Sequence, residues 1–341
     1  MKKTSFSVIM PCYNSEAYLI DALESVVNQT YENWELIIIN DGSVDNTLEI
    51  VNSYAEKDER IKVFSKENGG YATAVNMGLD YVEGDYFLFL GSDDYLAADL
   101  FEKLHNEIEK INLLPDMIAF RTRKVENGVV GQIEKRTRFE NVLLCNRNLK
   151  EFTESAPQHA SIFVVRDTSR CYKRELLGET RYFGTTGMDA DGIFSMLIAH
   201  KAHSFFNVPV DGYFWRIRGD SVSATKSLRK TIDRIDNWYR FFNIIIDFDA
   251  NEITSAEQEY LKSYSSFIME LASVPGNVIK YRDFIIKNAV FSKDVSKIMN
   301  VDLSTELNYI RRFPLLYSVY RWSRRFIKKK WSNLKEIIQN R

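Results

Sequence analysis

Trp34-Glu35-Leu36-Ile37-Ile38-Ile39-Asn40-Asp41-Gly42-Ser43 commits the N-terminal part of this chain to a layered α/β architecture. Leu36 to Ile39 are apolar without alternation, as expected for a strand whose sheet is covered on both faces. Asn40-Asp41-Gly42-Ser43 then turns the chain, and Asp45 or Asn46 can cap a helix running to about Ala55. On the N-terminal side, Phe6-Ser7-Val8-Ile9-Met10 reads as a strand stopped by Pro11, and residues Glu16 to Asn28 carry Leu19, Leu23, Val26 and Val27 at helical spacing. On the C-terminal side come a strand at Ile61 to Phe64, a helix at Thr73 to Val82 and a strand at Asp85 to Leu90. Strands separated by helices of this length imply a mostly parallel sheet with helices on both faces. Ligands of such sheets bind beyond the carboxyl ends of the strands. Tyr13-Asn14, Asn40-Asp41-Gly42-Ser43 and Gly91-Ser92-Asp93-Asp94 all come directly after strand ends and are expected to converge there.

The rest of the chain changes character twice. Between about residues 106 and 225 the pattern is mixed, with short strands expected at Met117 to Arg121 and Ser161 to Val165 and a helix at Ile193 to His200. Beyond Ser227 the apolar periodicity is helical, in Ile232 to Phe248, Tyr260 to Leu271 and Leu303 to Ile338. The expected division is therefore 1–225 and 226–341. With 341 residues, 45% hydrophobic and 27% charged, the chain has the balance of a globular protein. Its net charge of −2 offers no general attraction to nucleic acid. Cys12, Cys145 and Cys171 are an odd number without metal-binding spacing, which argues against a disulfide framework. The apolar run before Pro11 is too short for a signal peptide, and no window approaches the roughly 20 apolar residues of a membrane span. The expectation is a cytoplasmic protein.

No Gly-x-Gly-x-x-Gly comes after the first strand and no Gly-x-x-x-x-Gly-Lys-Ser/Thr loop is present, which disfavours a dinucleotide oxidoreductase and a phosphate-loop enzyme. The fourth strand instead leads into the carboxylate pair Asp93-Asp94. Hard carboxylate oxygens suit Mg²⁺ or Mn²⁺ completed by substrate phosphates, although a helix cap would use the same residues. Four motifs occur in order: Pro11-Cys12-Tyr13-Asn14, Asn40 through Thr47, Asn68-Gly69-Gly70 with Asn76-x-Gly78, and Ser92-Asp93-Asp94. Over roughly residues 5 to 223 this series resembles glycosyltransferase family 2, the inverting nucleotide-sugar transferases with the Rossmann-like GT-A fold.

The resemblance implies that residues 1–105 form the nucleotide-sugar half and 106–225 the acceptor half. It implies a nucleotide site drawn from Pro11, Tyr13, Asn14, Asp41, Gly70, Asn76, Ser92 and Asp93, with Tyr13 near the base, Asp41 hydrogen-bonding it, and Asp93 and Asp94 at a Mn²⁺ or Mg²⁺. Gly91 stands where many members carry a carboxylate, and Val75 where many carry an arginine. Further on, Met188-Asp189-Ala190-Asp191-Gly192-Ile193-Phe194 resembles the family's acidic motif, which makes Asp191 the general base and Asp189 its rival. Arg216, Ser221 and Ser223 fall on the Tyr-x-x-Arg and Ser-x-Ser segments, a phosphate or acceptor contact. An inverting displacement does need a base to take the acceptor's hydroxyl proton.

The expected partners are a nucleotide-sugar donor, UDP-linked by resemblance, and a glycan or lipid-linked glycan acceptor of surface polysaccharide synthesis. A polyprenyl-phosphate sugar synthase and an inactive scaffold of the same fold remain alternatives, and a homo-oligomer is left open. Between Arg311 and Lys330 there are eight Lys or Arg and no acidic residue, interleaved with Phe313, Tyr317, Tyr320, Trp322 and Phe326. Such a stretch, continued to Trp331, reads as an interfacial helix that holds the protein peripherally at the inner face of an anionic membrane; packing on the protein itself is the alternative.

Overall fold

The computed structural model describes residues 3–133, 142–145, 167–184, 189–218, 228–245, 255–272, 275–298 and 310. Ser161 to Val165, Ser221, Ser223 and the basic tail 311–331 lie outside the described residues. The chain divides into two compact units, Met1–Thr225 and Lys226–Arg341.

The first unit opens β1 (Phe6–Cys12), α1 (Leu19–Val27), β2 (Trp34–Asn40), α2 (Thr47–Ala55), β3 (Ile61–Ser65), α3 (Tyr71–Leu79) and β4 (Tyr86–Phe89). It continues with β5 (Tyr95–Leu96), α4 (Leu100–Ile111), β6 (Met117–Glu126), β7 (Val129–Ile133), β8 (Val142–Cys145), β9 (Arg170–Lys173), α5 (Ala190–Ala199) and β10 (Ser204–Arg216). One sheet holds the ten described strands in the order β3-β2-β1-β4-β9-β6-β10-β5, with β7 on β6 and β8 on β10. β3, β2, β1 and β4 are parallel. β9 lies antiparallel between β4 and β6.

The apolar run of β2 is explained by where its side chains go. Leu36 and Ile38 pack into a large core with α1, α2 and α4, whereas Ile37 and Ile39 pack on the opposite face with Ala74 of α3. α3 approaches closely because Gly78 has no side chain, and a Cβ there would sit 2.6 Å from the Ile9 side chain. Farther along that face, Phe194 of α5 meets Phe87, Phe89, Tyr172 and Tyr182.

Several element bounds differ from the expected ones. α1 begins at Leu19 rather than Glu16, because Ser15 and Glu16 take part in loop hydrogen bonds with Thr47 and Asp45. β6 extends five residues past Arg121, since β10 and β7 pair with its second half. α5 starts three residues before Ile193.

The second unit contains α6 (Leu228–Ile245), α7 (Ser255–Ala272) and α8 (Pro275–Ile298). α8 falls in the stretch beyond Ser227 expected to be almost wholly helical, although no apolar periodicity marked it. Its buried positions include Asn288, Ser292 and Ser296, and the first two hydrogen-bond Tyr264 and Ser265 of α7. No helix among the described residues is long and apolar enough to cross a membrane.

Candidate active site

The chain leaves β1 through Tyr13 and Asn14, leaves β2 through Asp41 to Ser43, and leaves β4 toward Ser92 and Asp93, all at the carboxyl edge where strand order reverses between β1 and β4. Hydrogen bonds tie these loops together. Asn14 adopts a left-handed φ of 48°, its N–H donates to Ser43 Oγ at 3.1 Å, and its Oδ1 accepts from the Val44 N–H at 2.9 Å. Ser15 and Ser92 hydroxyls lie 2.7 Å apart, joining the β1 and β4 loops. Pro11 is buried within β1, whereas Tyr13 keeps half its surface exposed at the rim, where a ring is available to stack.

Asp41 is 3% exposed and satisfied by the protein itself. It accepts from Lys66 Nζ at 2.6 Å, the Gly69 N–H at 2.9 Å and the Gly70 N–H at 2.8 Å. These bonds shape the turn into α3, where Gly70 has a φ of 92° that side chains rarely adopt. The carboxylate expected at the nucleobase thus holds the loop from Lys66 to Gly70. Asn76 likewise turns away from the loop edge: its Nδ2 donates to the Tyr182 carbonyl at 3.0 Å and its Oδ1 accepts from the Tyr182 N–H at 2.8 Å.

The two carboxylates after β4 face different surroundings. Asp94 is 7% exposed and accepts from Tyr213 Oη at 2.6 Å and the Arg216 N–H at 2.8 Å. Burial, then the neighbouring Asp93 charge, pushes its carboxyl up to about 7 against those hydrogen bonds. Asp94 is therefore a link from the β4 loop to the end of β10. Asp93 is more open and pairs with Arg218 at 2.9 Å. A Cβ on Gly91 would meet Asp93 Oδ1 and Asp94 Oδ2 at 3.0 Å each, so a side chain there would need both carboxylates to give by a few tenths of an ångström.

Arg216, expected at a phosphate or acceptor, reaches Asp21 at 2.6 Å and lies over Tyr18 and Tyr95. Arg218, which sequence reasoning passed over, is the arginine on Asp93; its signal was proximity, two positions beyond a residue already singled out.

Asp189 occupies the N-cap position of α5 with a φ of 58°, and Asp191 lies in the first turn. The helix beneath them rests on a buried polar group. Ser195 Oγ is 2.8 Å from Tyr172 Oη and accepts from Arg170 at 3.3 Å, while Tyr182 Oη donates to the Asp167 carboxylate. Burial raises the Asp167 carboxyl above its ordinary range, although Tyr182 and Arg170 oppose the shift.

Tyr71, at the start of α3, reports how these parts are arranged. The residue is 37% exposed, yet burial of its hydroxyl end and the fields of Asp167, Asp191, Asp94 and Asp93 raise its phenol well above the usual value. The negative fields of Asp93 and Asp94 after β4, of Asp167 and of Asp191 all reach the Tyr71 phenol.

The model of glycosyl transferase family 2 matches residues 7–181, a stretch containing the β1, β2 and β4 loops just described. The chain belongs to glycosyl transferase family 2. Over 328 residues this family 2 chain is 26% identical to the minor teichoic acid biosynthesis protein GgaB of Bacillus subtilis, spanning 92% of the present chain but 34% of GgaB. Among solved structures, S. aureus TarS 1–349 in complex with UDP-GlcNAc matches with a TM-score of 0.67 at 20% identity, over 93% of this chain and 89% of that one. Mannosyltransferase PcManGT from Pyrobaculum calidifontis, solved with GDP-Man and Mn²⁺, matches at 0.52 and 14% identity, over 94% and 88%. The fold is GT-A.

Proposed function

We propose that this family 2 chain transfers a sugar, with inversion, from a nucleotide-linked donor to a hydroxyl of a glycan or lipid-linked glycan in surface polysaccharide synthesis. The observation that carries the proposal is the meeting of the β1, β2 and β4 loops at the carboxyl edge where strand order reverses, tied by the Asn14–Ser43 and Ser15–Ser92 hydrogen bonds. In the proposed assignment the loops after β1 and β2 hold the nucleotide, with Tyr13 stacking on the base, and Asp191 takes the proton of the acceptor hydroxyl. UDP is the nucleotide we favour, supported by the TarS complex.

The residues present fit a divalent cation at Asp93. That carboxylate already attracts a cationic group, Arg218, and it is only partly covered. Among the described residues no cluster of three or more ligating side chains exists, so the remaining ligands would come from the donor's diphosphate and water, the usual arrangement for Mg²⁺. When bound, the cation would neutralise charge on the departing diphosphate. Asp94, turned inward, would support Asp93 rather than ligate.

The test is a thermal-shift panel of UDP, GDP and dTDP and their sugars with Mn²⁺, followed by an assay of nucleoside diphosphate release. Selective stabilisation by one nucleotide is the expected result. A protein stabilised by none of them would remove the reading.

In the same proposal the chain works in the cytoplasm, held peripherally at the membrane by residues 311–331. The support is the tail's basic and aromatic sequence.

A further inference from the structure

Two arginines leave the end of β10, and they are not equivalent. Arg216 is held at three points: its N–H on Asp94, its guanidinium on Asp21, and its cationic face over Tyr18 and Tyr95. Arg218 lies 4.8 Å above the ring of Tyr18 and places its guanidinium 2.9 Å from Asp93. The pair is partly shielded, with side-chain exposures of 22% for Arg218 and 28% for Asp93, so the attraction is less screened than in an open surface pair.

A guanidinium and a divalent cation cannot share this carboxylate without like-charge repulsion at close range. A guanidinium also matches phosphate as well as carboxylate, donating in a planar fork. We propose that Arg218 is a positioning residue with two partners: it holds Asp93 while the donor site is empty, and it turns to the diphosphate when a nucleotide sugar arrives. The consequence is an order of loading. A divalent cation alone must compete with Arg218 for Asp93, whereas a cation arriving with a diphosphate gives Arg218 a second anion to face. Coupling between the two ligands is then positive and reciprocal. The inference rests on the nucleotide-sugar reading of the site and adds to it a residue and an order.

Isothermal titration of the full chain with MnCl₂ alone, with UDP alone, and with UDP in saturating Mn²⁺ tests it in wild type, Arg218→Gln, Arg218→Lys and Arg216→Gln. Arg218→Gln should bind Mn²⁺ alone about tenfold more tightly and UDP with Mn²⁺ about tenfold more weakly, the scale of a lost charged hydrogen bond. Arg218→Lys keeps the charge without the fork and should fall between. Arg216→Gln should leave binding of Mn²⁺ alone unchanged. Opposite shifts in the two titrations distinguish this from general damage, which weakens both. If Arg218→Gln leaves Mn²⁺ binding unchanged or weaker, or if Arg216→Gln gives the opposed shifts instead, the inference is overturned. Wild type that binds neither UDP, GDP nor dTDP would overturn the underlying reading as well.

Discussion

Asp93 and Asp191 carry separate duties in the proposed reaction, and their variants should fail differently. Asp93→Ala should abolish the part of UDP binding that EDTA also removes, which titration with and without chelator would read. Equal UDP affinity in wild type and variant under both conditions would sink the metal assignment. Asp191→Asn keeps the side-chain shape and removes the base. It should retain nucleotide affinity and lose about 10² to 10⁴ in turnover, the typical worth of a general base. A dead Asp189→Asn with an active Asp191→Asn would move the base two residues earlier. At this scale the order of motifs singled out the carboxylates and ranked Asp191 above Asp189, but residue type alone gave no reason for neighbours to differ. Asp93 and Asp94 are identical in type, and Tyr213 and the Arg216 N–H, more than a hundred positions later, hold one of them inward. Asp41 and Asn76 were legible as polar groups near the loops, but apart from Lys66 on Asp41 their partners are the backbone of Gly69, Gly70 and Tyr182. Backbone groups leave no mark on residue type.

Between elements, the Asn76–Tyr182 bridge joins α3 to the segment that packs under α5. Asn76→Ala leaves two backbone groups of Tyr182 without this partner. It should cost about 1–3 kcal/mol in chemical unfolding and leave nucleotide affinity within about twofold. A selective loss of nucleotide binding would return Asn76 to the nucleotide site. At the opposite end of the sheet, Glu35 of β2 accepts from Ser7, Lys62 and the Glu83 N–H. Burial alone would raise its carboxyl, but these bonds outweigh burial and hold it below the ordinary value. The stabilisation from such a carboxylate is present above its unfolded pKa, about 4.3, and is lost as pH falls through the folded value. Glu35→Gln should therefore be less stable than wild type at pH 7 by roughly 1–2 kcal/mol, with the gap in melting temperature narrowing toward pH 3. A gap that widens on acidification would refute the account. β2 could be read directly because its alternate residues enter two cores. β9 went unread because its four residues take their place from β4 and β6, which lie far away in the chain. The apolar spacing of α8 was interrupted by polar residues at buried positions.

For the whole molecule, the basic tail supplies the largest proposed effect outside the catalytic unit. Each cation near an anionic leaflet contributes up to about 1 kcal/mol, so several should give reversible attachment. In co-sedimentation with anionic vesicles at low salt, the full chain should pellet and a chain ending near Thr305 should stay in solution. Equal behaviour of the two would show that the tail is not the anchor. The layered α/β class was legible from the first hundred residues because parallel strands and crossover helices are contiguous in sequence. The ten-stranded sheet was not, because its second half is assembled from strands inserted out of order. That insertion has a consequence during synthesis. β4 emerges from the ribosome about 80 residues before β9, the strand that covers its free edge. At roughly 5–20 residues per second, Tyr86-Phe87-Leu88-Phe89 waits some 4 to 16 s with that edge open. An aromatic strand with unpaired backbone groups is a template for the wrong partner. The yield of this chain in cells should therefore depend on whatever shields that edge until β9 arrives.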